Sequence, residues 1–296
     1  MELANDNLPS LSYADYFDHP IKKRLVRAVE RLSGQPRIQK LYRQYREDLE
    51  DVPFFAAAVK LLDLRVEIDV ARHAAIPKTG PLVVVANHPF GVLDGLVICH
   101  LLSLIRTDFK VLTNAVLDGA PEASDWILPI DFAGTKDAQA INIATRKRSL
   151  DILRNGGCIV VFPAGGVSTA PTMFSRAAVD DTWKPFTAKL ITQSQAKVVP
   201  VYFEGQNSRL FQLASHLSLE LRLALIFREV NRKRGKRMPV HIGEVLTPED
   251  LANAGKRAEL MAFLRQATYA MAPAKLQNRL RRAEKRWQEK QPRVFR

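Results

Sequence analysis

From about residue 65 onward, short apolar runs alternate with longer amphipathic segments, and this alternation constrains the fold more than any other feature. The apolar runs predict strands at RVEIDV (65–70), PLVVVA (81–86), DFKVLT (108–113), GCIVVF (157–162), KVVPVYF (197–203) and PVHIGEV (239–245). The segments between them predict helices over 93–105, 136–154, 185–195, 208–218 and 249–269. Such a pattern is typical of an α/β fold, and we expect a mixed, mostly parallel sheet flanked by helices.

The residues before this region predict helices. Ile21, Leu25, Val29 and Leu32 recur at helical spacing, and a second, more apolar helix is predicted over 54–64. We therefore divide the chain into an N-terminal helical segment (1–64) that packs on the core or on a membrane surface, an α/β domain (65–270) and a basic C-terminal helix or tail (271–296). The cluster RKRGKR (232–237) is expected to form an exposed basic loop.

The charge of the chain indicates acidic partners. Lys and Arg number 44 against 31 acidic residues, which gives a net charge of +13. Nucleic acid, anionic lipid head groups and phosphorylated substrates all fit this excess, and composition does not choose among them. No apolar run approaches the roughly 18–20 residues of a spanning helix, so we expect any membrane contact to be peripheral.

The cysteines and the N-terminal sequence indicate a reducing, cytoplasmic setting. Cys99 and Cys158 lie in apolar runs without disulfide or metal-ligand spacing, and we expect both to be small buried hydrophobic residues. The first twenty residues are polar and acidic and predict no secretory signal. No metal site is predicted.

A histidine follows one predicted strand directly, in the stretch VVVANHPFGVLDG (83–95). Open α/β sheets place their ligand sites at such strand ends. Pro89 and Gly91 fit a tight turn, and Asp94 can fold back onto His88, fixing its tautomer and leaving the other ring nitrogen free as a general base. Taken alone, the stretch favours a plain turn residue followed by a helix cap at Asp94.

Two further strand ends carry polar and glycine-rich sequences, FPAGGVS (162–168) and VPVYFEGQNS (199–208). Backbone N–H groups at Gly165 and Gly166 can hold a phosphate or a developing oxyanion. Glu204 and Asn207 add hydrogen-bonding groups at the third strand end. Three such ends on neighbouring strands predict one convergent site.

Together these stretches resemble the glycerolipid acyltransferases, the lysophosphatidate and lysophospholipid acyltransferase family. NHPFGVLDG (87–95) looks like the catalytic block of the hemolysin-like bacterial branch, with its HPxGxxDG pattern. FPAGGVS looks like the third block, VPVYFEGQNS like the fourth, and WILPID (126–131) stands where the second block would fall. The resemblance covers roughly residues 65–230, with the blocks in the family's order.

Three positions depart from the family pattern. Five residues stand between His88 and Asp94, where the usual motif has four. Ala164 replaces the glutamate of the third block, and Phe132 stands where an arginine would follow Ile-Asp. The acceptor head group would then have to be bound by other basic residues. Candidates are Lys136, Arg146, Lys147, Arg148 and Arg176.

The resemblance implies transfer of a fatty acyl group from acyl-CoA or acyl-carrier protein to a lysolipid hydroxyl, with no cofactor. His88 would be the general base and Asp94 would orient it. The expected substrate-binding residues are Asn87, Gly91, Gly165, Gly166, Ser168, Glu204, Asn207, Arg146 and Arg176. The helices over 54–64 and 93–105 would line a groove for the acyl chain. We expect peripheral association with the anionic inner face of the cell membrane, and no nucleic acid partner.

Three other readings remain open at this stage. The sequence pI near 9.9 and RKRGKR fit a nucleic-acid-binding protein, although aromatic residues are hardly interleaved with the basic clusters. A serine hydrolase would need a nucleophile, but Ser168 lacks the trailing glycine of G-x-S-x-G. Because of Ala164, a family member that only binds lipid or an acyl carrier is also possible.

Overall fold

The computed structural model of this chain describes residues 11–14, 19–114, 120–130 and 135–290. Asp131 and Phe132, on which the comparison with the second block depends, lie outside the described residues, as do residues 291–296 of the expected tail. In the described part of the chain, no helix is both long enough and apolar enough to cross a membrane.

The helices, numbered in chain order, are α1 (Pro20–Leu32), α2 (Gln35–Asp48), α3 (Phe54–Leu61), α4 (Val70–Ala74), α5 (Val92–Ser103), α6 (Pro121–Ser124), α7 (Lys136–Arg154), α8 (Phe186–Ser194), α9 (Arg209–Leu217), α10 (Leu219–Ala224), α11 (Ile226–Lys233), α12 (Pro248–Ala252), α13 (Arg257–Ala270) and α14 (Ala274–Lys290). The strands are β1 (Arg65–Glu67), β2 (Leu82–Ala86), β3 (Phe109–Asn114), β4 (Ile127–Ile130), β5 (Cys158–Val161), β6 (Lys197–Phe203) and β7 (Arg237–Ile242).

The strands form one seven-stranded sheet in the order β1-β7-β6-β2-β5-β3-β4. All neighbouring pairs are parallel except β6 and β7, which run antiparallel. Helices cover both faces, so the predicted α/β fold with a mixed, mostly parallel sheet is confirmed. Because β6, β2 and β5 are consecutive and parallel, the three polar strand ends of the sequence lie at the same edge of the sheet.

The central strand β2 is apolar throughout because both of its faces are buried. Leu82, Val84 and Ala86 join the larger core cluster under α3 and α5, whereas Val83 and Val85 join the cluster under α7, α8 and α13. Burial of each Val or Leu side chain of this strand stabilises the folded state by about 1.5–3 kcal/mol relative to leaving it exposed. Burial of alternate residues on opposite faces holds the end of β2, and with it the following polar turn, in a fixed position.

Several elements differ from the sequence-based expectations. Strand β4 and the helices α10 and α11 were not expected, and the helix expected over 249–269 divides into α12 and α13. The division falls where Gly255 adopts a left-handed conformation (φ 85°). RKRGKR is not one loop, because Arg232 and Lys233 end α11 and Arg237 begins β7, with only the turn around Gly235 between them.

Helix α1 turns most of its apolar stripe outward. Ile21, Leu25 and Leu32 are 69%, 51% and 90% exposed. The side chains that α1 buries are Val26 and Glu30. The Glu30 carboxylate accepts hydrogen bonds from the Ser12 hydroxyl and the Tyr13 N–H, both at 2.6 Å, and so holds the preceding segment. Of the four residues in the stripe that predicts this helix, Val29 packs against the core, and the other three face outward.

Candidate active site

His88 and Asp94 meet in the turn that joins β2 to α5. His88 Nδ1 lies 3.1 Å from Asp94 Oδ2. The same Oδ2 accepts hydrogen bonds from the N–H groups of Phe90 (2.8 Å) and Gly91 (3.0 Å), so Asp94 also caps α5. Gly91, with φ 74°, turns the chain into the helix. His88 Nδ1 lies off the line of a well-aligned hydrogen bond, a common arrangement in sites without substrate.

The Asp94 carboxylate is fully buried, and its surroundings act on it in opposite directions. Burial raises the pKa of Asp94, while the His88 imidazole and the N–H groups of Phe90 and Gly91 lower it. Oδ1 has no hydrogen-bond partner in the described part of the chain. Lys233 lies 3.9 Å from the centre of the Phe90 ring, and its own pKa is lowered by burial, an effect that the charge of Asp94 partly offsets. The ionised form of Asp94 is thus stabilised by only a few neighbouring groups.

Contacts fix both the ring and the backbone of His88. Phe162 stacks on the imidazole with the ring centres 4.1 Å apart. The His88 N–H donates to Asp180 Oδ1 at 3.2 Å, and the His88 carbonyl accepts from the Ser168 N–H at 2.8 Å. Nδ1 is the ring nitrogen next to Asp94, and the opposite nitrogen Nε2 has no hydrogen bond to any described residue. This is the arrangement that a general base requires.

Asp180 is a buried carboxylate that the sequence did not indicate. Besides the His88 N–H, it accepts from the Ser168 hydroxyl through Oδ1 and from Trp183 Nε1 at 2.9 Å through Oδ2. Its own N–H donates to the Tyr269 hydroxyl at 2.8 Å. Asp180 therefore joins the turn after β2 to the loop after β5. No local motif marks it, because all of these partners except Trp183 are distant in sequence; the signal that remains is a carboxylate directly after the apolar run 177–179.

The glycines after β5 differ from each other in their backbone bonding. Gly165 has φ 73°, and its N–H donates to the Phe162 carbonyl at 3.0 Å, so the turn uses this donor. The Gly166 N–H makes no hydrogen bond within the described ranges, and of the two expected donors it is the one left for a ligand. A Cβ at Gly91 would lie 3.2 Å from Val167 Cγ2, which shows how closely the turn after β2 approaches this loop.

A cavity of about 530 Å³ opens beside the pair, with His88, Gly91, Gly165 and Gly166 in its wall. The rest of the wall is mostly apolar, with Phe54 and Phe55 of α3, Leu96 and Cys99 of α5 among the side chains. A second apolar cavity of about 130 Å³ shares Tyr13, Phe54, Val92, Leu96, Ala120 and Ile226 with the first. The helices expected to line an acyl groove do line these cavities.

Two of the expected binding residues serve to hold the strand ends together. Asn87 is buried and exchanges two hydrogen bonds with the backbone of Phe203, its Nδ2 donating at 3.0 Å and its Oδ1 accepting at 2.7 Å. Ser168 is also buried, and its hydroxyl donates a hydrogen bond to Asp180 Oδ1. Neither belongs to the described wall of the cavity.

Four other expected binding residues also lie outside the described cavity wall. The Glu204 carboxylate faces His241 (3.4 Å) and Lys275 (3.6 Å). Asn207 is buried, and its Nδ2 has no partner in the described part of the chain. Arg146 is exposed and lies over the Phe186 ring of α8, on the other side of the sheet, and Arg176 is exposed in the loop before Ala177.

Arg222 is a cation in the cavity wall that sequence reasoning missed. It belongs to α10, a helix that was not expected. Its Nη2 donates to the Val167 carbonyl at 2.7 Å, and its guanidinium lies 6.0 Å from the centre of the Phe211 ring. Burial lowers the pKa of Arg222. Over the described residues, no group of three or more His, Cys, Asp or Glu side chains could hold a metal ion.

Comparison with known proteins shows the family to which this chain belongs. A family model described as "Acyltransferase" matches residues 43–277. The lyso-glycine lipid O-acyltransferase of Phocaeicola vulgatus is 23% identical over 74% of this chain and 78% of that protein. The protein of the same name from Bacteroides thetaiotaomicron is 25% identical over 85% of this chain and 91% of its own. The crystal structure of the 1-acyl-sn-glycerophosphate acyltransferase PlsC from Thermotoga maritima covers 87% of this chain and 83% of that chain at 14% identity, with a TM-score of 0.47.

The matched range contains both residues of the His88–Asp94 pair, the glycine loop after β5 and most of the cavity wall. The resemblance to the glycerolipid acyltransferases that the strand-end sequences indicate is thereby confirmed, and this chain belongs to the acyltransferase family.

Proposed function

We propose that this protein is an O-acyltransferase that moves a fatty acyl group from an acyl thioester, acyl-CoA or acyl-carrier protein, to the hydroxyl of a lysolipid. The observation that carries the proposal is the His88–Asp94 pair at the wall of an apolar cavity. The names of the two relatives, both lyso-glycine lipid O-acyltransferases, support a lysolipid acceptor. We expect no cofactor, because the acceptor hydroxyl is itself the nucleophile.

In the proposed reaction, His88 Nε2 takes the proton of the acceptor hydroxyl as its oxygen attacks the thioester carbonyl. Asp94 orients the imidazole and stabilises the imidazolium. A C–O bond forms, and the carbonyl oxygen carries the negative charge of the tetrahedral intermediate. The Gly166 N–H is our candidate donor to that oxyanion; loss of one such donor typically costs about 10²–10³ in rate. Collapse breaks the C–S bond, and the imidazolium returns its proton to the departing thiolate.

The acyl chain would occupy the apolar cavities beside the pair. The larger volume, about 530 Å³, lies within the usual range of roughly 300–1,000 Å³ for small-molecule sites. Tyr13, Phe54 and Leu96 belong to the walls of both cavities, so a chain that enters next to His88 could continue from the first into the second.

We also place the protein at an anionic membrane surface, the inner face of the cell membrane, from the cytoplasmic side. Leu219 on α10 belongs to the cavity wall and is 57% exposed, so the cavity reaches the surface there. Helix α10 packs between α1 and α9, which expose Leu25 (51%) and Leu217 (70%). Helix α1 also exposes basic residues, Arg24 and Arg31 among them. Exposed apolar side chains with basic neighbours are typical of peripheral membrane helices.

The test of the proposed function is an acyl-transfer screen read by mass spectrometry. The purified chain is incubated with acyl-CoA or acyl-carrier protein against lysophosphatidate, lysophospholipids and lyso-aminolipids, with His88→Ala in parallel. The proposal predicts a doubly acylated product from at least one pair with the wild-type protein and none above background with His88→Ala. Absence of product from every pair would contradict it.

A further inference from the structure

The guanidinium of Arg222 differs from that of a structural arginine in how few of its donors the protein uses. Arg106, the buried comparison, bonds both carboxylate oxygens of Asp108 and the carbonyls of Pro77, Gly80 and Gly156. Arg222 makes one hydrogen bond, from Nη2 to the Val167 carbonyl. A guanidinium has five N–H donors, so most of those on Arg222 have no protein partner in the described part of the chain.

No described carboxylate forms an ion pair with Arg222, although its charge is partly removed from water. A cation in such a place is costly unless an anion accompanies it. Two of the unused donor atoms of Arg222, Nε and Nη1, are not fully enclosed by the protein, because neither is among the buried polar atoms that lack a partner. Because Arg222 belongs to the cavity wall, an anionic group of a ligand in the cavity can meet these donors.

The position of Arg222 matches the head group of an amphiphile that reacts at His88. Its bonding partner Val167 directly precedes Ser168, whose N–H bonds the His88 carbonyl. A Cβ at Gly166 would lie 3.5 Å from Nη2, so the guanidinium rests against the glycine loop. Leu219, three residues before Arg222 on the same helix, is at the exposed mouth of the cavity. Arg222 thus stands between the catalytic pair and the surface.

Arg222 is also the only Lys or Arg in the described wall of the cavity. One planar guanidinium is suited to one carboxylate or one phosphate group, which it can bind through two parallel hydrogen bonds. The several phosphates of coenzyme A would call for more than one cation. We propose that Arg222 binds the acidic head group of the lysolipid acceptor and so makes the enzyme selective for anionic acceptors. Because this role requires a lysolipid in the cavity, it rests on the proposed acyl transfer.

The test uses acceptors that differ only in the acidic group. Lyso-glycine lipid and its methyl ester share the hydroxyl and the acyl chain, but only the first carries a carboxylate; lysophosphatidate supplies a phosphate. Steady-state constants are measured for the wild-type chain, Arg222→Gln and Arg222→Lys, with Arg209→Gln, an exposed arginine of the neighbouring α9, as the matched control. Thermal melting of each variant checks the fold.

We expect Arg222→Gln to raise KM for the acidic acceptors roughly 10- to 100-fold, the usual weight of a hydrogen bond to a charged group. KM for the methyl ester and for acyl-CoA should change less than about threefold, Arg222→Lys should recover part of the loss, and Arg209→Gln should behave as wild type. Equal losses for the acid and its ester, or a loss confined to acyl-CoA, would overturn the assignment.

Failure of the proposed function gives a different result. If the wild-type chain acylates none of the acceptors, equilibrium binding of lyso-glycine lipid and its methyl ester to the wild type and Arg222→Gln still decides the role of Arg222. Tighter binding of the acid that disappears in Arg222→Gln supports it, and equal binding of acid and ester to the wild type contradicts it.

Discussion

Asp94 Oδ2 lies 3.1 Å from His88 Nδ1 although five residues separate the two in the sequence. The contact is possible because Gly91 turns the chain at φ 74° and Asp94 falls in the first turn of α5. The same oxygen accepts from the backbone of Phe90 and Gly91. The two readings of this stretch, helix cap and partner of a base, therefore describe one carboxylate that does both.

Replacing Asp94 with Asn should separate activity from stability. The amide oxygen can still cap α5, but the amide cannot stabilise an imidazolium, and we expect kcat to fall by about 10²–10⁴. The Asp94 pKa is raised from its ordinary value of 3.8 in the folded chain, so wild-type stability decreases as pH rises through the folded pKa. Asn does not titrate.

The measurement is the melting temperature of the wild type and Asp94→Asn from pH 4 to pH 8. The advantage of Asn over Asp should grow as the pH rises. A difference that shrinks toward high pH would show that the ionised carboxylate stabilises the fold instead.

Gly91→Ala should damage the turn by two separable effects. The backbone of Gly91 (φ 74°, ψ −119°) lies in a region that non-glycine residues rarely adopt, at a cost of about 1–3 kcal/mol, and the new Cβ would also lie 3.2 Å from Val167 Cγ2. Gly80→Ala is the matched control, since Gly80 has φ 83° and open space around its Cβ position. We expect both variants to lose stability in urea and only Gly91→Ala to lose activity. Equal activity in the two would mean that the close approach does not position the pair.

Asp180→Ala should weaken the link between the two catalytic loops. It leaves the Ser168 hydroxyl, the Trp183 indole and the His88 N–H without their acceptor, and each unsatisfied buried group costs about 1–3 kcal/mol. Urea unfolding should show the loss, and kcat should fall more than KM changes because His88 is no longer held. Asp181→Ala, at the partly exposed neighbouring position, is the comparison. If both variants are equally stable, Asp180 has no positioning role.

Vesicle binding should depend on the outward stripe of α1. Leu25→Ser is expected to reduce co-sedimentation with anionic vesicles, and added salt should weaken binding of the wild type. Phe263→Ser, on α13 at the other side of the sheet, removes a 37% exposed aromatic residue and serves as control. Equal binding of the wild type to neutral and anionic vesicles would show that charge does not drive the membrane contact. Equal loss of binding in Leu25→Ser and Phe263→Ser would show that the exposed stripe of α1 is not the membrane-binding face.

The parts of the fold that could be predicted from the sequence are those that a short stretch of sequence determines. Strands buried on both faces, such as β2, need continuous apolar runs, and the strand-end sequences marked the pair and the glycine loop. The sequence pattern does not indicate strand β4, because this strand has only four residues, lies at the sheet edge and contains Pro129. Leu219, Leu221 and Leu223 alternate with polar residues, which has the period of a strand and conceals α10.

Other features have no local signature. Asp180 gains its role from partners that only the folded chain assembles. The apolar spacing in α1 indicates a helix with one apolar face, but it does not say whether that face meets the core or a lipid surface. Arg222 could not be chosen among the many basic residues until α10 placed it in the cavity wall.

The central claim is that His88 is the base of an acyl transfer, and the turnover of His88→Ala tests it most directly. The assay uses the thioester and lysolipid that the wild type accepts, with His241→Ala, a partly exposed histidine outside the described cavity wall, as control. We predict that His88→Ala loses at least about 10³ in kcat, toward the upper part of the range for general bases, while its melting temperature stays close to that of the wild type and His241→Ala remains active. Wild-type turnover in a folded His88→Ala would contradict the account.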